Sequence, residues 1–160
     1  SHALALDRAR VSLRPLLARV ADDLKSLCEL RGAMIALPIG DHAVLGDPRA
    51  VERMVSRLTS TLVSASGEGE RVGMASMVEG DEVALRFDRP AALRDYRGDA
   101  LLSLDDEIAD DPALLGTGFA LRLVRNLARE LCGSLTIASE SLTLRLPASV
   151  DRVMEHANRH

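Results

Sequence analysis

From Ser12 onward, Leu13, Leu16, Leu17, Val20, Leu24, Leu27, Cys28 and Leu30 recur at intervals of three and four. That spacing predicts a helix over 12–31 with Ser12 as its N-cap, Pro15 in its first turn and Gly32 just past its end. The apolar run Ala33 to Leu37 predicts a strand closed by Pro38, and Val44 with Leu45 a second short one. Asp47 followed by Pro48 marks a helix start, and Val51, Met54, Val55, Leu58, Leu62 and Ala65 carry that helix to about Ser66. Alternation at Val72, Met74, Ser76 and Val78, a turn at Glu79 to Asp81, and alternation again at Val83, Leu85 and Phe87 predict a hairpin. From about 89 to 115 the pattern fails. Pro90, Gly98, Pro112 and the acidic clusters Asp105 to Glu107 and Asp110, Asp111 predict a long, mobile lid without periodic apolar anchors, with room for one short helix. Leu121, Val124, Leu127, Ala128 and Leu131 then predict a helix over 117–132. A second hairpin follows, through Leu135, Ile137 and then Leu142, Leu144 and Leu146 up to Pro147, and the tail 148–160 reads as a short polar helix or a frayed end.

Two hairpins among helices that do not alternate strictly with strands give an α+β class, a two-layer sandwich with the helices on one sheet face. The 160 residues suffice for one domain, and 47% hydrophobic with 28% charged residues is a globular balance. Aromatic residues are limited to Phe87, Tyr96 and Phe119, too few for a single-strand stacking platform, and a net charge of -4 gives no basic footprint for nucleic acid or membrane. Lys25, the only lysine, lies outside any glycine-rich loop, which excludes a Walker-type phosphate site. Cys28 and Cys132 lack metal or redox spacing and read as buried, reduced thiols. No apolar run approaches the ~18 residues of a membrane span. The chain therefore reads as a cytoplasmic fragment, with Ser1 and His2 as a tag remnant.

The sharpest local signal is GTGFAL at 116–121, where glycines and a helix N-terminus together suit a phosphate. The same turn before a helix also has a purely structural reading. GTGFALRLVRNLARELCGSLTIAS followed by SLTLRLPA resembles the last glycine box, helix and terminal hairpin of the ATP-binding domains of sensor histidine kinases. GDPRAVERMVSRLTSTLVSASGEGERV at 46–72 is similar without gaps to another segment of those domains. SLRPLLARVADDLKSLCELRGAMIAL at 12–37 resembles the segment leading in from their dimerisation helices, so the likeness covers about residues 5–147. It implies a Bergerat-type GHKL fold over 12–147, a mixed sheet under three helices with a lid at about 89–115, preceded at 1–11 by the end of a linker.

The resemblance also implies a site. The family's magnesium-holding Asn falls on Thr61, its polar partner on Ser64 and an earlier Asn on Arg57, while the last glycine box falls on Gly116, Thr117, Gly118 and Leu121. These positions, with Asp88, are the nucleotide-binding candidates, and Thr61 is the metal candidate. Magnesium asks for near-ideal octahedral oxygen geometry, which a short Thr hydroxyl serves less well than an amide. The family's adenine-binding Asp opens a DxGxG box, whereas this chain reads DRPAAL at 88–93. Counting by two puts Arg89 on the face of Val83, Leu85 and Phe87, and Asp88 on the other face unless a bulge intervenes. The lid ALLSLDDEIADDPALL lacks the family's Phe and Gly, and Ala120 replaces a Gly of the last box.

His42 in a turn and His156 and His160 in the tail read as surface residues, so a phosphoacceptor is expected before residue 5 of a longer chain. Two functions follow. One is a degenerate ATP-binding domain, a pseudokinase similar to the DivL-type atypical kinases, acting through contacts with a response regulator or partner histidine kinase and dimerising through upstream helices. The other is an active, divergent kinase domain that binds ATP and Mg.

Overall fold

The computed structural model describes residues 8–104 and 114–149. Its strands are β1 (Ala9–Ser12), β2 (Met34–Ala36), β3 (Ala43–Gly46), β4 (Arg71–Glu79), β5 (Glu82–Asp88), β6 (Ser134–Ile137) and β7 (Ser141–Pro147). The α-helices are α1 (Leu13–Asp23), α2 (Lys25–Arg31), α3 (Pro48–Ser64) and α4 (Thr117–Glu130). Five strands form a mixed sheet in the order β2-β4-β5-β7-β6, with β2 parallel to β4 and every other pair antiparallel. β1 and β3 make a separate antiparallel pair, linked to the end of β7 by the Val44–Ala148 bridge. This is the expected α+β sandwich.

Registry decides which residues meet. Val83 pairs with Leu146, Leu85 with Leu144 and Phe87 with Leu142, so one sheet face is continuously apolar. The helices cover it. α3 alone buries Ala50, Val51, Met54, Val55, Leu58, Thr59, Leu62 and Val63, and Asp47 caps it by accepting from the Ala50 N–H at 3.0 Å. Leu121, Val124 and Ala128 of α4 complete the same core.

Several expectations are corrected. The helix over 12–31 is two helices meeting at Leu24, whose φ and ψ of -96° and 7° leave the helical range although neither Gly nor Pro stands there. Ser12 sits at the N-cap of α1 but makes no capping bond; Asp41 does that work, its Oδ1 accepting from the Arg14 N–H at 3.0 Å. Residues 9–11, expected in a linker, are strand β1. The described parts of the segment after β5 are anchored, since Leu93, Leu101, Leu102, Leu104 and Leu114 are buried around short 3-10 turns at Ala91–Leu93 and Gly98–Ala100. The acidic clusters of the lid lie outside the described residues, as do His156, His160 and the tail beyond Ser149.

Cys132 is exposed and Cys28 half-buried, which corrects the reading of both as buried; both are free thiols. His42 is half-buried, its Nδ1 2.8 Å from the Ser76 hydroxyl, rather than a bare surface residue. No helix among the described residues is long and apolar enough to cross a membrane.

Candidate functional site: the cleft between α3 and α4

The C-terminal half of α3 and the start of α4 enclose a cleft of about 140 Å³ lined by Ser60, Thr61, Ser64, Gly116, Thr117 and Ala120, with Leu115 at its edge. Four of the sequence candidates, Thr61, Ser64, Gly116 and Thr117, are thus brought together. Ser60 was missed, though its place four residues before Ser64 sets both on one helix face. The hydroxyls are turned to the helix itself: Thr61 Oγ1 donates to the Arg57 carbonyl at 2.7 Å and Ser60 Oγ to the same carbonyl at 3.0 Å. Such bonds to the preceding turn keep short side chains close to their own backbone.

The other candidates lie elsewhere. Arg57 is exposed and absent from the cleft lining, and Leu121 is fully buried in the core. Gly116 caps α4 with φ +77°, a conformation that favours glycine. Gly118 is buried because the Leu104 backbone rests on it; a Cβ there would collide with the Leu104 carbonyl. Arg122 of α4 holds the neighbouring turn by donating Nη1 to the Leu102 carbonyl. The chain's own backbone therefore covers the first turn of α4 on the side of Gly118, while Thr117 and Ala120 face the cleft.

Asp88 is on the opposite sheet face. β5 runs without a bulge to the Asp88–Ser141 pair, and the Asp88 carboxylate lies over Gly73, accepting from its N–H at 3.2 Å. It borders a different hollow, with Ala36, Ile39, Arg71 and Ser76. Arg89 takes the inner face as period-two counting requires. It is 1% exposed, donating Nε and Nη2 to the Leu93 carbonyl and Nη1 to the Ala138 carbonyl at 2.8 Å. Burial, and then the charge of Arg94, hold its pKa below the ordinary arginine range. A guanidinium offers only donors, so this position cannot accept a hydrogen bond from an amino group.

The residues that line the cleft offer hydroxyls and backbone groups but no carboxylate, amide or imidazole side chain for a magnesium ion. The described residues hold no group of three His, Cys, Asp or Glu side chains placed for a metal. Small-molecule sites commonly enclose about 300–1,000 Å³, more than this cleft provides.

No protein-family model matches the chain, and no curated protein matches it. Solved structures do. A histidine kinase from Burkholderia phymatum STM815 is 25% identical, over 92% of this chain and 73% of its own, with a TM-score of 0.64. The mycobacterial sensor histidine kinase MprB is 16% identical, over 91% of this chain and 100% of its own, with a TM-score of 0.66. The catalytic domain of histidine kinase ThkA is 14% identical, over 89% of this chain and 96% of its own, with a TM-score of 0.66. With its mixed five-stranded sheet, its helical layer and the α3–α4 cleft, the chain has the fold of a histidine kinase catalytic domain.

Proposed function

We propose that this chain is a degenerate ATP-binding domain of a two-component histidine kinase, a pseudokinase that regulates phosphorelay signalling through protein contacts. One observation carries the reading: the Leu104 backbone occupies the approach to Gly118, where the resemblance puts the last glycine box. Two features support it. Thr61 stands at the family's magnesium position with its hydroxyl bonded to its own helix, and Asp88, on which the family's adenine-binding aspartate falls, lies on the outer sheet face while the buried Arg89 takes the inner one. The partners that suit the reading are a response regulator or a partner histidine kinase, with homodimerisation through helices upstream of this segment.

Isothermal titration with ATP and magnesium tests it. The expected outcome is no magnesium-dependent heat at micromolar nucleotide. Micromolar, magnesium-dependent binding would instead support an active, divergent kinase domain and overturn the proposal.

A further inference from the structure

α3 carries Arg49, Arg53 and Arg57 at four-residue intervals, so the three stand in one row, roughly 6 Å apart along the helix axis. All three are exposed, and none has an ion-pair partner among the described residues. Glu52, next to the row, is held by Arg19 of α1, whose Nη2 lies 2.6 Å from the Glu52 carboxylate. Arg19, Arg49, Glu52 and Arg53 line, with Val11 and Ser56, an open groove of about 430 Å³ between α1 and α3.

This row works against the helix that bears it. Like charges four residues apart repel, and Arg49 lies in the first turn, where the positive end of the helix dipole disfavours a cation. No acidic residue lies within that turn, the carboxylate at this helix end being that of the N-cap Asp47, which accepts from the Ala50 N–H. Among the described residues, then, no ion pair holds the row in place.

We propose that the α1–α3 groove and its arginine row bind an acidic segment of a partner protein, whose carboxylates bridge Arg49 and Arg53. The face suits a protein better than a nucleic acid. Glu52 places a negative charge among the positive ones, which matches the mixed charge of a protein surface and repels a continuous phosphate backbone. The proposal names the chemistry of the contact in the function above and rests on that reading only in expecting a protein partner.

The probe is a short fluorescein-labelled peptide with Glu at every fourth position, followed by anisotropy at low and at physiological salt, with a short DNA duplex of equal charge as competitor. The wild-type chain is expected to bind the peptide in preference to the duplex, and less tightly as salt rises. The double variant Arg49→Gln, Arg53→Gln is expected to lose about tenfold or more in affinity and to gain about 1–3 °C in melting temperature, because repulsion is relieved. Failure of the wild type to bind, equal binding by the double variant, tighter binding of the duplex, or a lower melting temperature would each overturn the proposal. Tight Mg-ATP binding would overturn the pseudokinase reading and leave these outcomes unchanged.

Discussion

The main-chain carbonyl of Leu104 is seated against Gly118, so that the second glycine of the GTG turn serves the packing of the chain on itself. A Cβ added at Gly116, two residues earlier, would meet no neighbour, but its φ of +77° favours glycine there. The two glycines therefore answer to different constraints. Gly118→Ala should destabilise the domain by about 1–3 kcal/mol through overpacking against a carbonyl that cannot move without lifting the Leu101–Leu104 turn. Gly116→Ala should cost about 1–2 kcal/mol from backbone strain alone. Urea unfolding measures both, and wild-type stability of Gly118→Ala would show that Leu104 does not rest there.

Arg89 ties three places together: the end of β5, the Ala91–Leu93 turn through the Leu93 carbonyl, and the β6–β7 turn through Ala138. Arg89→Met fills similar space yet leaves those carbonyls without their donors, and should cost about 2–4 kcal/mol. Arg89→Lys should recover little of this, since an ammonium cannot span both carbonyls as a planar fork does. Equal stability of the Lys variant and the wild type in thermal melts would show that charge alone matters at this position.

The elements legible in the sequence are those whose pattern is local. α3 and α4 announce themselves by period, cap and proline, and the β4–β5 hairpin by alternation around Glu79 to Asp81. Counting by two along β5 also gave the opposite faces of Asp88 and Arg89. What escaped depends on partners far along the chain. β1 is four residues, ARVS, whose alternation is too short to stand out from its surroundings, and it is a strand because β3 lies beside it. Asp41 caps α1 from 27 residues away. Leu93, Leu101 and Leu104 are anchors without a period, so they read as loop until the core that receives them is known. The cleft was half legible: the α3 and α4 residues that line it are visible as family positions, whereas the backbone that covers Gly118 is not.

The thiols should differ in reactivity. Cys132 is exposed, while Cys28 is half-buried with its pKa raised first by burial and then by the charge of Glu29. Alkylation of the folded protein near pH 8 should therefore modify Cys132 first, as peptide mass mapping would show. Because the folded state disfavours the Cys28 thiolate, its contribution to stability is fully present below the unfolded pKa of roughly 8.5 and is lost as pH rises through the higher folded value. Cys28→Ser should flatten that alkaline decline. A decline of equal slope in the variant would assign it to other groups.

Restoring an amide at position 61 tests the depth of the cleft's departure from the family. Thr61 now returns its hydroxyl to the Arg57 carbonyl, and Thr61→Asn would put a carbonyl oxygen on a longer arm at that point of α3. The substitution should nonetheless raise ATP affinity by less than about tenfold, or 1.4 kcal/mol. It leaves the Leu104 backbone over Gly118, the buried Arg89 guanidinium on the inner face and Asp88 on the outer one. Titration calorimetry with magnesium present measures the change. Were this one substitution to produce tight, magnesium-dependent binding, the Leu101–Leu104 turn would have to give way readily to nucleotide, and the domain would be a kinase silenced at one position rather than a fold turned to protein contact.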